Sequence, residues 1–212
     1  MNRIILISLF SILTFQVMAQ EKIVQTASEN ASNEWLEPVT DEEYGKINMN
    51  SMQSNHKILV AYFSATGVTA CAAQKVAEAT GGQVYVITPA KPYTDADLDW
   101  NDKQSRSSVE MNDPKARPAL GGKRLDVSEY DIVFIGYPIW WNQAPRLINT
   151  FLESHNLKGK TVIPFATSGG STIAGSAATL RRSYPALEWK EGSLLNRANE
   201  KTVRTWIERI GY

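Results

Sequence analysis

The sequence predicts an α/β protein: a doubly wound sheet of five parallel strands, built as one domain over residues 57–212. Three observations carry this reading. Residues 57–70, Lys-Ile-Leu-Val-Ala-Tyr-Phe-Ser-Ala-Thr-Gly-Val-Thr-Ala, run from an apolar strand through a small turn into a helix. Further apolar strands follow and alternate with helical stretches, the pattern of a parallel sheet covered on both faces. The segment is also long enough to enclose one good core.

Each element has its own signature. Ile58 to Phe63 is an unbroken apolar run without helical period, as suits a strand buried on both faces. Ser64, Thr66, Gly67 and Thr69 make a hydroxyl-rich turn. Ala70, Ala72, Ala73, Val76, Ala77 and Ala79 then supply helix propensity and an apolar face, ended near Thr80 by Gly81-Gly82. Residues 83–88 are the second strand and 131–137 the third. A helix over 144–155 carries Pro145 in its first turn. Residues 160–167 form the fourth strand, 172–183 a helix, 187–194 a shorter fifth strand. The closing helix, 199–210, has Val203, Trp206, Ile207 and Ile210 as its stripe. Between strands two and three lies a polar excursion, Pro89 to Leu125, with a short helix expected within 95–109. Long insertions of this kind are often functional lids.

The chemistry is expected at the carboxyl ends of the strands, where open α/β sheets bind ligands. Three loops meet there. The first, Ser64 to Thr69, aims backbone N–H groups and hydroxyls at one spot beside a helix N-terminus, which makes a phosphate cradle. It has neither the Lys of a Walker loop nor the spacing of a GxGxxG fingerprint, so ATP and NAD are disfavoured. The second, Tyr137-Pro-Ile-Trp-Trp-Asn-Gln-Ala-Pro145, sets two tryptophans between prolines, which suits the wall of a flat heteroaromatic ring better than a surface turn. The third, Thr167-Ser-Gly-Gly-Ser171, is small and rich in N–H donors. His56 and His155 stand alone, without zinc-site spacing. Cys71 is read as a small core residue of the first helix. No Gly-x-Ser-x-Gly elbow supports hydrolase chemistry.

Residues 1–19 have a charged start, a short apolar run and a small-residue site at Ala19, the pattern of a signal peptide cleaved after Ala19, with export to the periplasm and no stable membrane span thereafter. Residues 20–56 read as a polar, disordered linker. The single cysteine precludes an intrachain disulfide, which fits either redox compartment. Lys plus Arg and Asp plus Glu are 22 each, so no charge excess points to nucleic acid or to a strongly acidic electron carrier.

The turn Ser64-Ala-Thr-Gly-Val-Thr69 resembles the S/T-x-T-G-x-T phosphate loop of flavodoxins, and Gly136-Tyr-Pro-Ile-Trp-Trp141 is similar to the G-x-P-x-W-W/Y loop of flavodoxin-like reductases. The resemblance covers most of residues 57–212. It implies strand order 2-1-3-4-5 and flavin mononucleotide (FMN) as cofactor. The binding residues it implies are Ser64, Ala65, Thr66, Gly67, Val68 and Thr69 for the phosphate, Pro138, Ile139, Trp140, Trp141 and Asn142 beside the ring, and Thr167, Ser168, Gly169 and Gly170 at the pyrimidine edge. Val68 stands where flavodoxins commonly carry Asn. The third loop lacks the Tyr that often covers the second ring face. That face is then either open to substrate or covered by Tyr93 or Trp100 from the excursion. The implied activity is electron transfer to a small-molecule or protein redox partner, or reduction of a quinone-like acceptor. The alternative is a binding module that keeps the fold without FMN.

Overall fold

The chain is described by a computed structural model over residues 56–212. The signal-peptide reading and the polar segment up to Asn55 lie outside the described residues. The central strands are β1 (Ile58–Tyr62), β3 (Ile132–Pro138) and β4 (Thr161–Thr167), with β2 (Gln83–Val86) on one edge. All pair in parallel, in the order β2-β1-β3-β4 and then β5 (Glu188–Trp189), as expected. Helices α1 (Val68–Thr80), α3 (Arg146–Ser154), α4 (Ile173–Ser183) and α5 (Glu200–Arg209) follow β1, β3, β4 and the last strand. Among the described residues, no helix is long and apolar enough to cross a membrane.

Alternate residues of a strand point to opposite faces, so each central strand feeds two cores. Leu59, Ala61, Val133 and Ile135 pack beneath Leu147, Ile148 and Phe151 of α3. Val60, Tyr62, Phe134 and Phe165 pack beneath Ala73 and Val76 of α1 and Val203, Trp206 and Ile207 of α5. Burial on both sides is the physical reason the strands read as continuous apolar runs. Gly81 stops α1 in a left-handed conformation (φ 67°) that glycine adopts without strain. Cys71 is a correction. The buried stripe of α1 is Thr69, Ala72, Ala73, Val76 and Ala77, and Cys71 falls off it onto the exposed face.

The fifth strand departs from expectation by splitting into β5 (Glu188–Trp189) and β6 (Ser193–Leu194), both beside β4. Thr161 pairs with Glu188, whereas Phe165 pairs with Ser193, so the outer strand carries one extra residue across the break. Pro164 explains the break. The carbonyls of Val162 and Ala166 accept from Lys190 and Leu195 on this side. Pro164 lies midway between them and has no N–H to offer the outer strand. Gly192 passes there because a Cβ would come within 2.5 Å of the Pro164 carbonyl oxygen.

The excursion also differs. In place of one helix over 95–109 it holds a 3-10 turn (Ala96–Leu98) and a separate helix α2 (Arg106–Asn112). The carboxylates of Asp99 and Asp102 accept from the backbone N–H groups of Asn101 and Gln104, and Ser105 caps α2. These side chains compete with helical hydrogen bonding and break the run.

Candidate cofactor site

The three loops meet at the carboxyl edge of the sheet, as the topology requires. In the first, Ser64 Oγ accepts from the Gly67 N–H at 3.0 Å, and Gly67 takes φ 88° at the N-cap of α1. Ser64 thus shapes the turn. Among the described residues, the N–H groups of Thr66, Val68 and Thr69 meet no protein acceptor. These are the unsatisfied donors that a helix start always leaves, and they carry its partial positive charge. Thr66, Gly67 and Val68 are exposed and Ala65 is half-buried. Val68 contributes its backbone amide, for which no particular side chain is needed. The Thr69 hydroxyl does not reach the open side. It is buried and hydrogen-bonded to Thr167 Oγ1 at 2.8 Å, locking the first loop to the third.

The second loop is a tight turn. Trp140 and Gln143 exchange backbone hydrogen bonds at 3.0 and 2.9 Å, and Trp141 and Asn142 between them adopt φ 45° and 59°. Left-handed backbone is a sparsely populated state for a bulky residue, and such strain clusters at functional positions. The turn separates the two tryptophans. Trp140 is half-buried and packs edge-on against Phe63 and Tyr93, with centroids 5.7 and 5.4 Å away. Trp141 is 46% exposed. Pro138 and Ile139 lead into the turn, and the Ile139 N–H donates to the Thr167 carbonyl at 2.8 Å.

The third loop has fewer free donors than its composition promises. Ser168 Oγ accepts from the N–H groups of Gly170 and Ser171, at 3.2 and 2.8 Å. The Ser168 N–H donates to Asn196 Oδ1 at 2.7 Å, and Asn196 Nδ2 donates back to the Ser168 carbonyl at 2.6 Å. Among the described residues, the Gly169 amide remains without an acceptor.

Two adjoining cavities result, both lined by Ile139, Trp140, Ser168 and Gly169. One, of about 630 Å³, extends to Thr66, Val68 and Pro138 of the phosphate loop side. The other, of about 510 Å³, extends to Trp141 and across to Leu98 and Trp100 of the excursion. Both fall in the usual range for small-ligand sites, about 300–1,000 Å³. A ligand with an anionic end and a flat aromatic end fits this arrangement: amides at one end, an indole wall between, small backbone donors along the edge.

Tyr93 is close to the site without lining either cavity. Its ring packs on Trp140, its hydroxyl donates to Glu110 at 2.5 Å, and the Arg106 guanidinium lies 4.0 Å over its face. Arg106 in turn pairs with Glu110 at 2.6 Å. Burial, followed by the Glu110 hydrogen bond, holds the Tyr93 phenol above its ordinary range, so it stays a neutral donor. Tyr93 therefore anchors the excursion, while Trp100, 72% exposed, is the aromatic residue of the excursion that lines the open cavity, beside Leu98 and Ser107. Asn196 and Arg197, which line the larger cavity, escaped the sequence reading. Their only signal was their place after the last strand, at the same carboxyl edge.

The chain belongs to the flavodoxin family, whose model matches residues 57–210. It is 65% identical to a flavoprotein candidate of Bacteroides eggerthii, covering 74% of this chain and 99% of that one, with a TM-score of 0.73. A second, from Bacteroides uniformis, is 60% identical over 72% of this chain and 98% of its own, with a TM-score of 0.71. A Lactobacillus acidophilus flavoprotein solved in complex with FMN is 18% identical, over 74% and 99% of the two chains. Its TM-score of 0.58 shows a shared fold. No curated protein matches the chain.

Proposed function

We propose that this flavodoxin-family chain is an exported FMN-dependent redox protein that reduces a small, quinone-like acceptor. One observation carries the reading: Thr66 and Val68, whose amides meet no acceptor among the described residues, line a cavity walled by Trp140. That juxtaposition suits a phosphate joined by a chain of sugar length to a planar ring. The FMN-bound neighbour of the same fold supports it. FMN, when bound, supplies the electron-transfer chemistry.

The protein's share is binding, orientation and access. The loop amides hold the phosphate through hydrogen bonds to charged oxygen, the stronger class. Trp140, fixed edge-on by Phe63 and Tyr93, offers a rigid face for stacking. The Gly169 amide lies at the edge of both cavities, placed to receive negative charge from a ring. Acceptor access follows from the smallness of residues 167–171, which leaves the cavity between Trp141 and Trp100 open. An exposed tryptophan beside an open cavity is an apolar contact for an incoming planar molecule. Export rests on the signal-peptide pattern of residues 1–19.

The experiment is reconstitution with FMN followed by reduction of a series of quinones. Trp100→Ala is expected to raise the acceptor KM about fivefold, the equivalent of roughly 1 kcal/mol of aromatic contact, while leaving FMN affinity at the parent value. Parent-like kinetics in Trp100→Ala would remove the excursion from the acceptor site. A protein that takes up no FMN would instead be a binding module on the same fold.

A further inference from the structure

Arg197 occupies an unusual position. The loop between β6 and α5 is tied down on three sides. The Leu195 N–H donates to the Ala166 carbonyl at 2.8 Å, Asn196 clasps the Ser168 backbone through two hydrogen bonds, and Lys75 Nζ of α1 donates to the Ala198 carbonyl at 2.7 Å. Held this way, Arg197 adopts φ 50°, a left-handed conformation that a side-chain-bearing residue rarely takes. Backbone strain maintained by surrounding bonds is a pointer to function.

Its surroundings say which function. Arg197 lines the larger cavity together with Thr66 and Val68, and is the one charged residue doing so among the described residues. The adjoining cavity, at the Trp141 and Trp100 end, is lined by no charged residue among those described. Among the described residues, Arg197 also has no carboxylate partner and donates no hydrogen bond to protein. A cation without a counter-ion thus sits at the end of the site where helix-start amides already favour an anion.

Resting on the FMN reading above, we infer that Arg197 is a phosphate-binding residue, which neutralises the cofactor's monoester dianion in the cavity it lines together with Thr66 and Val68. Asn196 positions it. Guanidinium geometry suits this task, since its planar fork donates two parallel hydrogen bonds to phosphate oxygens. The ring end of the cofactor is left in neutral surroundings.

The test compares FMN and riboflavin affinities, by flavin fluorescence, for the parent, Arg197→Gly, Arg197→Gln and Arg197→Lys proteins. Riboflavin lacks the phosphate and reports everything else. Arg197→Gln and Arg197→Gly are expected to bind FMN about tenfold more weakly, from loss of a charge-assisted contact, and riboflavin unchanged. Arg197→Lys keeps part of the preference. The salt dependence of FMN binding becomes shallower in the uncharged variants. Arg197→Gly separates charge from folding, because glycine takes the left-handed backbone freely and its thermal midpoint should not fall below the parent's. A parent-like FMN-to-riboflavin ratio in both uncharged variants would overturn the assignment while leaving the cofactor reading intact. A parent that binds neither flavin, or both equally, would overturn the cofactor reading and this inference with it.

Discussion

Trp140→Ala is expected to lower the stability of the apoprotein by about 2 kcal/mol and to weaken FMN binding by a further 1–3 kcal/mol. The two losses have separate origins. Stability falls because Trp140 is the hub of an aromatic trio with Phe63 and Tyr93, at centroid separations of 5.7 and 5.4 Å, and truncation leaves those rings facing a void. Affinity falls because the same indole walls both cavities. Its neighbour behaves differently. Trp141 sits at the exposed apex of the turn, so Trp141→Ala should leave stability near the parent value. Urea unfolding of the apoproteins and flavin titration of the folded ones separate the effects. If Trp140→Ala bound FMN like the parent while losing stability, Trp140 would be a packing residue and the ring would lie elsewhere.

Gly136→Ala is expected to cost about 3 kcal/mol, which for a domain of this size lowers the thermal midpoint by roughly 6–12 °C. Gly136 lies in β3 with Tyr62 and Phe165 as its neighbours in register. A Cβ there would stand 2.2 Å from Cζ of Phe165, inside the ring's own space. Phe165 is fully buried and has nowhere to swing. The glycine is a seat for that ring. Gly169 supplies the control, since a Cβ there meets nothing within 4 Å and its backbone is not left-handed. Gly169→Ala should leave the midpoint of the apoprotein unchanged. A Gly136→Ala protein as stable as the parent would mean that β3 and β4 can separate to admit the methyl.

The sequence carried the sheet well because burial on both faces writes itself into composition. Ile58–Tyr62, Ile132–Pro138 and Thr161–Thr167 are buried at nearly every position and mostly apolar, and their succession with helices limits the topology. What escaped was decided by single contacts between distant residues. Nothing in the run 187–194 announces that Pro164, more than twenty residues earlier, denies it a hydrogen bond. The hydroxyl of Thr69 looked available for a ligand until Thr167, across the sheet, claimed it. The donors of the third loop were counted from composition, but Ser168 Oγ and Asn196 consume three of them. Arg197 was invisible because its place at the cavity beside Thr66 and Val68 is set by the fold and not by its neighbours in sequence. The loops nearest the helix starts were legible because backbone amides do the work there, and a strand–turn–helix pattern is enough to place them.

On this reading the amides of the Ser64–Thr69 loop hold the phosphate of FMN. Calorimetric titration of the apoprotein with FMN and with riboflavin tests it most directly. Two or more charge-assisted hydrogen bonds at about 1.5 kcal/mol each predict FMN binding at least about a hundredfold tighter than riboflavin. Equal affinities for the two flavins would contradict it.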